Sequence, residues 1–139
     1  MMNKVVLDTN CLIASISRRG DYYNVWSAFQ RGDFVLCVSN EILEEYEEIF
    51  ARKTNGKIAN NIIQMLLNSP FVCFVTPYYH FHLIDSDKDD NKFVDCAIAA
   101  NAILVTEDSH FNVLRDIQFP HVELLNLKDF QESLRTLTP

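Results

Sequence analysis

A chain of 139 residues has room for one domain with a substantial core, and a single domain over residues 1–139 is expected. Apolar residues make up 48% and charged residues 22%, which excludes a disordered chain, and no stretch holds the roughly 18 uninterrupted apolar residues of a membrane helix. The formal net charge of −7 excludes a protein that grips nucleic acid by charge alone, but not one whose acids are neutralised by bound metal.

The apolar run "VVL" ahead of Asp8 predicts a strand over 4–8, followed by a helix over 10–17. Lys4 and Asp8 interrupt this run in a way that is wrong for a signal peptide, so a cytoplasmic location is expected. A helix over 21–31 carries "YYNVWSAF", in which Tyr22, Tyr23 and Trp26 suit core or a subunit interface better than base stacking. Strand 34–38 ("FVLCV") leads to helices 40–53 and 57–68, strand 71–76 and a loop over 77–88. Helix 90–101, strand 102–106, a short helix 109–115, strand 121–125 and helix 127–137 complete the chain. The strands are continuous apolar runs, as expected of strands covered on both faces, and helices separate nearly all of them. The expected fold is therefore α/β: three layers, α/β/α, around a central, mainly parallel sheet of about five strands. Cys11, Cys37, Cys73 and Cys96 stand apart in apolar stretches with no C-x-x-C pair. That predicts reduced core thiols, with neither a zinc site nor a disulfide framework.

Ligands of such sheets bind beyond the carboxyl ends of the strands, so the residues that follow each strand carry the most information. Asp8 ends the first strand and Asp108 follows "AILVT"; each alone reads equally well as a helix N-cap. Asn10 is an alternative cap for the first helix, which leaves Asp8 less explained. In "SNEILEEYEEIF", Ser39 is the expected N-cap and Ile42, Leu43, Tyr46, Ile49 and Phe50 make one apolar stripe. Glu41, Glu44 and Glu48 fall opposite the stripe, with Glu45 and Glu47 on its two borders. Glu45, nearer the helix start, is the better site candidate, although periodicity does not choose between the borders. Asp95 lies in "FVDCAIAANA", where only it and Asn101 are polar, and a carboxylate so enclosed needs a partner. In the preceding "DSDKDDN", Asp85 and Asp87 read as a solvated loop, and Asp90 as a helix cap or an outer member of a site.

Asp8, Glu45, Asp95 and Asp108 are thus expected to converge on one crevice, with no cation in a matching motif. Carboxylates packed together raise each other's pKa unless a hard cation compensates, and oxygen ligands suit Mg2+ or Mn2+ better than zinc. Such ions activate water and stabilise charge on a phosphodiester, so the pattern points to metal-assisted phosphoryl chemistry.

"VVLDTN", "SNEILEEYEEIF", "DKDDNKFVDCAIAANA" and "ILVTEDSHF" stand in the order and spacing of the PIN domain family, which the chain resembles over nearly its whole length. The third motif resembles the putative-toxin subgroup, that of VapC-like ribonucleases. The resemblance implies that Asp8, Glu45, Asp95 and Asp108 are a catalytic acidic quartet that binds Mg2+ (or Mn2+) and activates a water to cleave RNA, leaving a 5′-phosphate. It implies Asp90 as a further metal-binding acid and Asn10 and Thr106 as supporting polar residues. An antitoxin protein partner and a homodimer are implied as well. Glu107 departs from the subgroup, which often has glycine at that place. Arg18, Arg19, Arg52, Lys53, Lys57, Lys88 and Lys92 are candidate phosphate contacts. A haloacid-dehalogenase-like phosphatase would need a second Asp where Asn10 stands, and a receiver-type signalling domain an Asp where Ser39 and Asn40 end the second strand. A Rossmann cofactor domain would need a glycine-rich turn. A PIN fold that serves only to bind a partner is the other alternative.

Overall fold

In the computed structural model, which describes residues 3–85 and 87–135, the apolar runs pair as one five-stranded sheet. β1 (Asn3–Leu7) lies at its centre between β2 (Phe34–Val38) and β4 (Ile103–Val105), with β3 (Val72–Phe74) and β5 (Leu124–Leu125) at the edges. Every pairing is parallel, with Val5 opposite Leu36 on one side and Ile103 on the other. Val5, Val6, Leu7, Leu36, Cys37, Val38, Leu104 and Val105 are none of them more than 2% exposed, so the three inner strands are covered on both faces. β3 and β5 are shorter than the expected 71–76 and 121–125, because an edge strand is hydrogen-bonded on one side only and its ends leave the ladder early.

The helices are α1 (Thr9–Ile16), α2 (Tyr23–Arg31), α3 (Asn40–Lys53), α4 (Gly56–Asn68), α5 (Asn91–Ala100) and α6 (Leu127–Arg135). The expected end of the last helix, at 137, lies outside the described residues. The short helix expected over 109–115 is a 3-10 helix, Ser109–Asp116. The chain steps from β1 to β2 to β3 in one direction, then crosses back to β4 and β5 on the other side of β1. Right-handed crossovers put α5 on the face opposite the helices of the first half, which makes the three expected layers. The reversal of direction falls between β1 and β4, and the crevice for ligands in such sheets opens there.

Helix packing then fixes what faces this crevice. Ile42, Tyr46 and Phe50 form the buried stripe of α3, and the Tyr46 hydroxyl donates to the carbonyl oxygen of Leu7 at the end of β1. Ser39 caps α3 as expected, accepting from the Ile42 amide at 3.3 Å. In α2, Trp26 and Phe29 are buried and Tyr22 and Tyr23 pack half-buried against the core, so this aromatic run is structural. All four cysteines are free; burial pushes the Cys37 thiol up to about 11 and that of Cys96 to about 12, which keeps both protonated and inert.

Gly32 ends α2 with a φ of 83°, and a Cβ there would lie 2.5 Å from the Phe71 ring. Gly32→Ala is therefore expected to destabilise the fold by more than about 1 kcal/mol, seen as a lower urea midpoint at unchanged slope. Gly56→Ala, whose Cβ would meet nothing within 4 Å, should leave the midpoint unchanged or raise it.

Candidate metal centre

Asp8 follows β1 directly, in extended backbone, and starts α1. Its Oδ1 accepts from the Cys11 amide at 2.9 Å, so Asp8 is the N-cap. Asn10, the alternative cap, already lies inside the helix and is exposed; among the described residues it makes no hydrogen bond to the acids. The cap uses only one oxygen of Asp8. Its Oδ2 accepts from the Thr106 hydroxyl, whose oxygen in turn accepts from the Asp108 amide at 3.0 Å. Thr106 thus joins the ends of β1 and β4 across the switch point.

Asp108 caps the 3-10 helix, its Oδ1 accepting from the His110 amide at 2.9 Å. The ring of His110 then lies between two acids: Nδ1 is 3.4 Å from Asp108 Oδ1 and 3.3 Å from Asp90 Oδ2. On α3, the rotation fixed by Tyr46 leaves Glu45 half-buried and Glu47 exposed, the choice that periodicity left open. Glu45 Oε2 accepts from the Thr9 hydroxyl and its Oε1 pairs with Lys92 Nζ at 2.9 Å. The side chains of this pair are only 15% (Lys92) and 23% (Glu45) exposed, so the ion pair is poorly screened. Lys92, a candidate phosphate contact from its place beside the third motif, reaches the crevice from the first turn of α5. Adjacent sequence does not reveal this contact, because α3 and α5 meet only in the folded chain.

Asp90 and Asp95 part company. Five residues along a helix turn a side chain by about 140°. Asp90 faces Asp108 through His110, whereas Asp95 is buried on another side of α5 at 3% exposure. Asp95 Oδ1 accepts from the Phe81 amide at 3.1 Å, and Oδ2 lies 3.2 Å from His80 Nδ1. The partner that its enclosure demanded is therefore the loop before α5. Asp8, Asp108 and Asp90 are joined instead by one chain of contacts running through Thr106 and His110, and Glu45 comes in beside it, held by Thr9, the residue after Asp8, and by Lys92, two residues past Asp90.

Burial and the charge of Asp87 push the Asp90 carboxyl up to about 6, with Asp108 adding to the effect and His110 opposing it. Asp87 itself is exposed, as expected of the loop, yet it offers a ligand atom within 4.8 Å of one on Asp90 and one on His110. Clustered carboxylates, of which Asp90 resists ionising, with a single imidazole among them, fit a divalent cation that takes mainly oxygen ligands. His110 has no counterpart among the expected site residues, and its sequence signal is only its place two residues after Asp108.

The PIN domain family model matches residues 4–110. The chain belongs to the PIN domain family. Its fold is similar to VapBC2 from Rickettsia felis bound to a DNA fragment from its promoter, with a TM-score of 0.62 and 20% identity over 88% of this chain and 98% of that one. It is similar to VapBC-1 from nontypeable Haemophilus influenzae, with a TM-score of 0.63 and 16% identity over 90% of this chain and 98% of that one. The PIN domain endonuclease Utp24 matches with a TM-score of 0.52 and 16% identity over 88% of this chain and 84% of that one. No curated protein matches by sequence. The PIN fold expected from the four motifs is the fold observed.

The raised pKa of Asp90 sets a pH dependence. An ordinary Asp ionises near 3.8 and this one near 6, so its ionisation costs more in the folded chain than in the unfolded one. Stability present below the lower value is lost as pH rises through the upper. In metal-free buffer, the urea midpoint of the wild type should therefore fall relative to that of Asp90→Asn between about pH 4 and pH 7. A difference that stays constant over this range would mean that Asp90 is not held in a repulsive, desolvated position.

Proposed function

We propose that this PIN domain is a divalent-metal-dependent endoribonuclease, with Asp8, Glu45, Asp90 and Asp108 holding Mg2+ or Mn2+. The observation that carries the reading is the chain of contacts that joins Asp8, Asp108 and Asp90 at the switch point of a parallel sheet, with Glu45 held beside it by Thr9 and Lys92. Asp95, implied by the resemblance as a quartet member, is left out of this set because its contacts run to the loop before α5, through His80 and Phe81, and not to the groups that link the other acids. A bound divalent ion would supply the water activation and charge neutralisation that phosphodiester hydrolysis requires.

The chain's own residues prepare that chemistry. The Cys11 amide and the Thr106 hydroxyl hold Asp8 in one orientation, and Thr9 does the same for Glu45. Lys92 balances the charge of Glu45 and, two residues past Asp90, stands where a phosphate would approach. His110 spans Asp90 and Asp108 and keeps the two carboxylates at a fixed separation. An antitoxin partner and a homodimer belong to the same proposal. They are supported by the likeness to VapBC assemblies and by Ile58, Met65 and Leu67, which leave apolar surface exposed on α4. Among the described residues no helix is long and apolar enough to cross a membrane, and a cytoplasmic location is part of the proposal.

The test is cleavage of single-stranded RNA by the purified chain with Mg2+, with EDTA, and in Asp8→Asn and Asp90→Asn variants. Cleavage should require the metal and be lost in both variants. Cleavage that survives EDTA, or that both variants retain, overturns the reading; hydrolysis of small phosphomonoesters that depends on Asp8 would favour a phosphatase instead. Thr106→Val, which removes the hydroxyl that orients Asp8 and accepts from the Asp108 amide, should weaken Mg2+ binding about 10- to 100-fold by calorimetry.

A further inference from the structure

Tyr78, Tyr79, His80, Phe81 and His82 are five aromatic rings in succession on the loop between β3 and α5. Tyr78 is 95% exposed and Tyr79 67%, although single exposed rings are ordinary and a run of them is not. The run is also held in place. Asp95, itself buried, accepts from the Phe81 amide and pairs with the His80 ring, so one enclosed carboxylate pins two successive loop residues. His82 takes a φ of 54°, in the left-handed region that residues other than glycine seldom adopt. With the loop so fixed, Tyr79 and Phe81 contact each other with ring centroids 4.5 Å apart, and His80 and His82 stand 6.3 Å apart.

We propose that this loop is a base-stacking platform that binds single-stranded RNA beside the metal centre. The proposal rests on the nuclease reading for the identity of its ligand. His80 and His82 line a cavity of about 240 Å³ together with Glu41, Lys88, Asp89, Lys92 and Asp95, and Lys92 is the residue that pairs with Glu45. The cavity is smaller than the roughly 300 Å³ at which pockets for drug-sized ligands begin, so it suits one unit of a polymer. Charge selects the path of the strand. The groove along α3 carries five acids, Glu41, Glu44, Glu45, Glu48 and Asp89, against Arg52 and Lys92. The cavity beside the loop carries three, Glu41, Asp89 and Asp95, against Lys88 and Lys92, and residues 77–84 carry none, so a phosphate backbone is repelled less along the loop. Rings with faces open to solvent and polar edges suit bases, which stack without regard to sequence. The loop would thus supply affinity for unpaired RNA while leaving the choice of target to other surfaces.

The test is binding of a fluorescently labelled single-stranded oligoribonucleotide to the full chain at low salt in EDTA, by anisotropy. Tyr78→Ala and Tyr79→Ala should each weaken binding by about fivefold or more, and Tyr79→Phe should keep it. Both tyrosines are exposed, so these variants are expected to fold, and an unchanged urea midpoint checks it. No binding by the wild type, or affinities of the alanine variants equal to it, would overturn the proposal. So would alanine variants that keep their RNA affinity but change oligomeric state by light scattering, since the loop would then be a protein interface. With metal removed, binding is read apart from cleavage: a chain that binds through Tyr79 yet cleaves no RNA with Mg2+ overturns the nuclease reading alone.

Discussion

The placement of β1 between β2 and β4 is the constraint on which the rest of this site depends. In a wholly parallel sheet every strand ends at the same edge, so residues that follow different strands are brought together. Here those residues are acids. Asp8 comes directly after β1, Asp108 comes after β4 with Thr106 between, and α3, which follows β2, contributes Glu45. Such a gathering is unfavourable unless each charge is met by a donor, and the donors come from the same edge: the Cys11 amide, the hydroxyls of Thr9 and Thr106, the His110 ring and the Lys92 ammonium.

The core sets the angles at which those groups meet. Tyr46 is fully buried and donates its hydroxyl to the last carbonyl of β1, so α3 cannot rotate without losing a buried hydrogen bond. That single tie puts Glu45 toward the crevice and Glu47 toward solvent. Burial and the nearby acids also raise the pKa of Asp90, so the folded chain opposes its ionisation.

Along α5 the geometry of the helix separates two acids that the sequence places close together. Asp90, at the helix start, belongs with Asp108 and His110; Asp95, more than a turn later, belongs with the loop that precedes the helix. A buried carboxylate is costly to enclose unless it is met by donors, and here the donors are the Phe81 amide and the His80 ring.

The fold was legible in the order of elements, because a both-faces-buried strand writes a continuous apolar run and a helix writes its own period. Ser39 as a cap, the apolar stripe of α3 and the reduced cysteines follow from local physics of that kind. Asp8, Glu45 and Asp108 were legible as candidates because parallel topology gathers whatever follows the strands. Lys92 against Glu45, Thr106 against Asp8, His110 between two acids and His80 against Asp95 were not, since each contact joins residues from different elements. Sequence alone determined which groups could reach the carboxyl edge of the sheet. Only the tertiary structure decided which of them face one another, because the direction of a side chain depends on how its helix is turned against the core.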